Sequence, residues 1–229
     1  MLTIAKNIVA LFFPKLCYSC EQTLMKSELL ICTNCRNEVP LTNFSNCTGN
    51  LIEKRLYGIF ELQEATALFF FHKNHIVQKV IHQLKYRGHE NIGDLLGNWL
   101  GYEMLKSNRF KTIDVIVPVP LHPAKLKKRG YNQLTLFCKA LSKLLNAPIN
   151  TSTLIKTKQR VSQTKRTKFN RWENADKQFE ITNTSELRGM HVLLIDDIIT
   201  TGATITNCAN ALFKISEIKL SIAVMAYTE

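Results

Sequence analysis

Two adjacent carboxylates, Asp196 and Asp197, lead directly into a hydroxyl- and glycine-bearing segment, Thr200-Thr201-Gly202-Ala203-Thr204. This order of residue types suits a phosphorylated polyol. The first amides of a helix have no internal partner and point outward. The helix adds a partial positive charge there, so a phosphate can rest on those amides. Gly202 lets the backbone approach closely, and Thr200, Thr201 and Thr204 add hydroxyl donors. The carboxylates are placed to accept hydrogen bonds from a diol, and their charge can stabilise a developing oxocarbenium ion. The plainer alternative is a strand whose acids merely cap a helix. Other phosphate signatures are missing: there is no G-x-x-x-x-G-K-S/T and no G-x-G-x-x-G after a strand.

A second chemical constellation lies near the start of the chain. Cys17-x2-Cys20 and Cys32-x2-Cys35 are separated by eleven residues. Each pair can bite one metal from a tight knuckle, and two pairs complete a tetrahedron. Four thiolates leave no open position, so the expected role is structural, with Zn2+ as the ion. A module this small has little core, and metal binding should supply most of its folding free energy, on the order of 10 kcal/mol. The remaining cysteines, Cys47, Cys138 and Cys208, read as small hydrophobes. An odd total of seven, four of them paired in C-x-x-C, points to a reducing compartment rather than a disulfide framework.

These residues need elements to hold them. Residues 1–55 form one compositional block, expected to be the metal ribbon, and residues 56–229 carry an α/β pattern. Ala65–Phe71 reads as a strand. Ile76, Val80, Ile81 and Leu84 recur at helical spacing over about 75–87, ending at Arg87-Gly88. A second helix is marked by Ile92, Leu95, Leu96, Trp99, Leu100, Met104 and Leu105. Asp114–Val119 is a buried strand whose pairing should fade near Pro118 and Pro120. Tyr131–Leu145 reads as a helix, and His191–Ile195 as a strand covered on both faces. A helix carrying Ile205, Ala209 and Leu212 follows, then a strand over Ile218–Ala226. Strands alternating with helices predict a parallel α/β sheet flanked by helices.

At 229 residues and 45% hydrophobic composition, the chain can build one medium domain and a small accessory one. The formal net charge is +12, which favours an anionic partner. Much of the charge lies in Thr151–Phe179, where eight lysines and arginines face only Glu173 and Asp176. So long a polar stretch inside a compact domain is usually functional or mobile. The apolar run Ile8–Phe13 is far too short for a bilayer span of roughly 20 residues. Ile4–Phe13 therefore reads as a short packed helix, and a cytoplasmic location without membrane insertion is expected.

Residues 191–205 resemble the phosphoribosyl-diphosphate (PRPP) motif of type I phosphoribosyltransferases: four apolar residues, two acids, a short variable link and T-G-x-T, here VLLI-DD-II-TTGAT. Further segments resemble a narrower group, the ComF family of competence-related proteins, which couple an N-terminal zinc ribbon to a phosphoribosyltransferase domain. They are Lys85-Tyr86-Arg87-Gly88, Val117-Pro118-Val119-Pro120 with Arg129-Gly130-Tyr131-Asn132-Gln133, and Gln163, Arg171 and Asn174 after Arg160. The resemblance runs almost end to end.

It implies that Asp196 and Asp197 serve catalysis. Thr200 to Thr204, Arg129, Lys85 and Arg87 would bind PRPP or phosphate, and Pro118–His122 would hold diphosphate amid Lys125, Lys127, Lys128 and Arg129. The stretch containing Arg160, Gln163, Arg171 and Asn174 would be the flexible loop. Mg2+ would accompany PRPP. Amidophosphoribosyltransferases follow a comparable VPVP turn with Asp-Ser-Gly, where this chain has Leu121-His122-Pro123, so binding is implied more directly than turnover.

Three functional readings follow. The first is a phosphoribosyltransferase acting on PRPP in DNA uptake or related DNA metabolism. The second is a single-stranded DNA-binding module that keeps the fold, with Phe169 and Trp172 as the nearest stacking candidates. The third is a scaffold whose ribbon contacts a helicase-like competence protein.

Overall fold

The computed structural model describes residues 13–157 and 178–229. The expected helix over Ile4–Phe13, apart from Phe13, lies outside the described residues, as do Arg160, Gln163, Phe169, Arg171, Trp172 and Asn174.

The centre is a four-stranded parallel sheet. In chain order its strands are β1 (Ala65–Phe70), β2 (Val115–Pro118), β5 (His191–Ile199) and β6 (Lys219–Tyr227), arranged β1-β6-β5-β2. The middle pair is almost wholly apolar, and Val192 to Ile195 and Ile222 to Ala226 are all fully buried. Such unbroken runs are what a strand covered on both faces requires. A separate antiparallel pair, β3 (Leu154–Lys156) and β4 (Phe179–Ile181), brackets the basic segment.

Seven helices are described. They are α1 (Thr33–Glu38), α2 (Leu51–Leu56), α3 (Ile76–Tyr86), α4 (Asn91–Lys106), α5 (Pro123–Arg129), α6 (Thr135–Leu145) and α7 (Ala203–Leu212). Helix α3 buries Val77, Val80, Ile81 and Leu84, the stripe that its spacing predicts, and stops at Gly88 with φ +77°. Helices α4 and α6 pack backbone to backbone. Gly93, Gly97 and Gly101 form a stripe along α4, and a Cβ added to Gly97 would fall 2.6 Å from Phe137 O and 2.8 Å from Ala140 Cβ. Side chains there would force the helices apart.

The predicted helix over Tyr131–Leu145 is shorter, beginning at Thr135. A separate helix, α5, precedes it and ends at Gly130, whose φ of +78° turns the chain. Pairing of β2 ends at Pro118, as expected, with Pro118 in register with Ile195 and one further bond from Val119 N–H to Ile195 O at 2.8 Å, so the proline is tolerated in the strand. The reason is alternation along the strand. Val119 donates toward β5, whereas Ile116 N–H faces the other way, to Pro148 O at 2.8 Å, and Pro118 shares that outer side.

Residues 40–55 lie in the stretch assigned to the ribbon, yet they join the sheet. Phe70 N–H donates to Pro40 O at 2.8 Å and Thr42 N–H to Leu68 O at 3.1 Å, so this strip covers the free edge of β1. Ile52 and Leu56 of α2 are buried in the core. Arg109 reaches across from the end of α4 to pair with Glu53 and Glu64, and donates to Phe44 O and Cys47 O at 2.9 and 2.7 Å. Cys138 and Cys208 are buried, as apolar residues should be, but Cys47 is exposed and does not behave as a core residue.

Candidate functional site

Strand β5 does not stop before its acids. It continues through Asp196 and Asp197 to Ile199, with Asp196 in register with Val224 and Ile199 with Tyr227. Successive side chains of a strand point to opposite faces. The two carboxylates therefore occupy different surroundings instead of sharing one.

Asp197 meets the helices that precede it in the chain. Its Oδ1 lies 2.8 Å from Lys85 Nζ, at the last turn of α3. Its Oδ2 accepts from Gln133 Nε2 at 2.9 Å, and Gln133 Oε1 in turn accepts from Arg129 Nη1 at 2.6 Å. The Arg129 guanidinium carbon stands 5.1 Å from the centre of the Tyr86 ring. Tyr131 closes the assembly by donating its hydroxyl to Leu84 O. The Arg-Gly-Tyr-Asn-Gln run thus ties the end of α3 to the acid pair. Gly130 makes the bend that lets Arg129 and Gln133 face each other from outside any shared helix.

Asp196 lies toward α7 and the β3–β4 pair. Its Oδ1 accepts the amide of Asp197 at 2.8 Å. Burial, then the neighbouring Asp197 charge, pushes its carboxyl up to about 7, against the pull of that amide and of Lys85 and Lys156. Its negative charge also helps to raise the thiol of Cys208, after burial. A carboxyl raised by burial and by a like charge beside it is a functional candidate on electrostatic grounds.

The cradle follows at Thr200 to Gly202, with Gly202 in the left-handed region at φ +84° as the residue before α7. The first intrahelical bond, Thr206 N–H to Gly202 O at 2.9 Å, leaves the amides of Thr204 and Ile205 ahead of it. Thr200, Thr201, Ala203 and Thr204 are exposed, so the segment is open to solvent. Thr201 Oγ1 accepts from Ala203 N–H at 3.4 Å. Beneath it, a Cβ on Gly202 would approach Leu56 Cδ2 to 3.2 Å.

The other predicted residues divide. Lys85, Arg129, Asp196 and Asp197 are brought together, with the cradle continuing from the acids. Arg87 is exposed just past the end of α3. Lys125, Lys127 and Lys128 lie exposed on α5, which buries no residue, and His122 Nδ1 caps that helix by accepting from Ala124 N–H at 3.1 Å. Arg160, Gln163, Arg171 and Asn174 lie outside the described residues. Gln133, Lys156 and Arg55 were not among the predicted site residues. Gln133 ends the Arg-Gly-Tyr-Asn-Gln run, whereas Arg55 carries no local signal.

The cysteine cluster is separate. The Sγ atoms of Cys17, Cys20, Cys32 and Cys35 all lie within 4.8 Å of one another, and Cys20 Sγ is 3.7 Å from Cys32 Sγ. A tetrahedron of thiolates about 2.3 Å from one ion has edges of about 3.8 Å. Cys32 N–H points at Cys17 Sγ at 3.3 Å, and Cys35 N–H at Cys32 Sγ at 3.5 Å, the kind of donors that steady thiolates. The cluster can therefore hold a metal ion. The module rests on the sheet domain through Tyr18 stacked on His89, ring centres 4.3 Å apart, and Arg36 over Trp99 at 4.9 Å.

Residues 135–228 match the phosphoribosyl transferase domain family. Sheet, acid pair and cradle together define a type I phosphoribosyltransferase-like domain. Among curated proteins, the chain is 25% identical over 221 residues to the DNA utilization protein YhgH of Salmonella typhimurium, covering 88% of this chain and 92% of that protein. It is 26% identical over 203 residues to the competence protein ComFC of Bacillus subtilis, covering 87% and 78%. It is 30% identical over 111 residues to competence protein F of Haemophilus influenzae, covering 48% of each. These similarities support the resemblance to the ComF family. No helix among the described residues is long and apolar enough to cross a membrane.

Proposed function

We propose that this protein binds PRPP or a related ribose phosphate at Asp196–Thr204 and serves DNA uptake or related DNA metabolism in the cytoplasm. The observation that carries the reading is the run of β5 through an ionisable acid pair directly into an open, hydroxyl-lined helix start. A phosphate on the exposed amides and threonine hydroxyls would leave the attached ribose near the acids, whose oxygens accept from its diol. Asp196, the acid with the raised pKa, is suited to hold or release a proton there. The names of the relatives support the DNA-related setting.

Two metals fit this reading. The four thiolates suit Zn2+ in a structural role. The carboxylate oxygens of Asp196 and Asp197 are the hard donors that Mg2+ takes alongside substrate phosphates, and the ion would neutralise charge on a departing diphosphate. We place the ribbon boundary nearer residue 40 than residue 55, because the chain is hydrogen bonded to β1 from Pro40 onward.

Calorimetry with PRPP and Mg2+ tests the reading, with Asp196→Asn/Asp197→Asn as control. Binding by the wild type that the double variant loses is expected, and absence of binding at millimolar PRPP would refute it. Release of diphosphate, measured with and without single-stranded DNA, reports turnover.

A second reading, direct binding of single-stranded DNA without catalysis, is favoured by one feature. Helix α5 exposes Lys125, Lys127 and Lys128, and exposed Tyr86 lies beneath Arg129. Backbone phosphates and a stacked base would suit such a surface. DNA affinity should then fall steeply with salt, and no binding even at low salt excludes it. A ribbon contacting a helicase-like protein is compatible with either reading.

A further inference from the structure

We infer that Arg55 is a positioning residue that sets the direction of the phosphate cradle, an assignment that rests on reading Thr200–Thr204 as the sugar-phosphate site. Arg55 sits in the last turn of α2, far from that site in sequence. Its Nη1 donates to Thr200 O and, at 2.9 Å, to Thr228 O. Its guanidinium carbon lies 4.6 Å from the centre of the Tyr227 ring. One side chain thus clasps the ends of β5 and β6, where Thr228 N–H also donates to Ile199 O at 2.9 Å. A planar, permanently charged fork that also stacks on an aromatic ring is suited to this, and lysine is not its equal.

The consequence lies in the peptide after Thr200. A trans peptide is planar, and its C=O and N–H point in opposite directions. With Thr200 O held toward Arg55, the amide of Thr201 is turned to the other side. That side is solvent, where the exposed Thr200, Thr201 and Thr204 stand, while Leu56 lies under Gly202 on the α2 side. Were this peptide to rotate, a carbonyl oxygen would replace an amide donor facing an incoming anion. The Arg55 charge, a few atoms behind the cradle, adds to the same preference.

Helix α2 is braced for the task. Asn50 Oδ1 caps it by accepting from Ile52 N–H and Glu53 N–H at 3.1 and 3.3 Å. Ile52 and Leu56 are buried, and Glu53 is paired with Arg109. The segment that follows the ribbon thereby reaches the cradle through rigid contacts.

The test uses the full chain and two probes. Ribose 5-phosphate reports the cradle, and magnesium diphosphate reports the opposite end of the site. Arg55→Met should weaken ribose 5-phosphate about tenfold, as expected for one lost charge-directed donor, and leave diphosphate within about twofold. Arg55→Lys should recover part of the loss. Unchanged ribose 5-phosphate affinity in Arg55→Met, or equal losses for both probes, would overturn the assignment. If the methionine variant does not fold, Arg55→Gln replaces it, with the same selective loss expected and the same two outcomes overturning it. A wild type that binds diphosphate but not ribose 5-phosphate would remove the cradle reading itself, and Arg55's role with it.

Discussion

Lys85 Nζ lies 2.8 Å from Asp197 Oδ1, joining the end of α3 to the middle of the site strand in a pair whose side chains are 17% and 13% exposed. Gln133 occupies the other Asp197 oxygen. Each Asp197 oxygen thus carries one contact of its own, and the two together orient the carboxylate.

Breaking this pair leaves a largely buried carboxylate without its cation. Lys85→Met should cost about 1–3 kcal/mol of stability. The same substitution in an Asp197→Asn background should cost less, because the carboxylate charge is gone. Chemical denaturation of the four proteins in a double-mutant cycle measures the coupling. Equal costs in both backgrounds would show that the pair contributes no coupling.

Asp196 makes the ligand-free protein pH-sensitive. Its folded value of about 7 lies above the ordinary 3.8. Such a group contributes stability that is fully present below about pH 4 and is lost as pH rises through 7. Asp196→Asn removes that loss, so its melting temperature should exceed the wild type's at pH 8, by the equivalent of a few kcal/mol. The gap should close near pH 4, and sugar-phosphate binding should be lost throughout. Parallel melting curves for the two proteins across pH 4–8 would contradict the assignment.

Metal content is checked by elemental analysis, which should return about one zinc per chain. Cys32→Ser should abolish it, since Cys32 both completes the cluster and caps α1 by accepting from Cys35 N–H. Chelation should render residues 13–39 sensitive to protease while the cleavage-resistant sheet domain, including residues 40–56, persists. Loss of both together would mean that the ribbon and sheet fold as one unit.

The glycine stripe on α4 yields a stability prediction independent of the site. Gly97→Ala places a methyl group against the Phe137 backbone, which cannot yield as a side-chain tip can. Overpacking of this kind costs about 2–3 kcal/mol, or about 5–10 °C in a domain of this size. A melting curve unchanged by the substitution would show that α4 and α6 separate freely.

The strands, the amphipathic stripe of α3 and the cysteine cluster were legible along the chain because their signals are local: unbroken apolar runs, a 3.6-residue period, and paired ligands at knuckle spacing. The acid pair and its Thr-Gly turn were equally plain, since one short segment carries both. The end of β5 was not, because extension through Asp196 to Ile199 depends on pairing with β6, and with it the separation of the two carboxylates onto opposite faces. The glycine stripe was present at i, i+4 and i+8 but is silent until a second helix supplies something to collide with.

Residue types alone determined that this chain builds a parallel sheet, gathers four thiolates and places a threonine- and glycine-bearing turn after two acids. Tertiary structure decided which cations meet those acids, how far Asp196 is shifted, and that Arg55 reaches Thr200 from 145 residues away. Direction and electrostatic environment are set by groups distant in sequence, and only the folded chain brings their charges and dipoles within hydrogen-bonding distance.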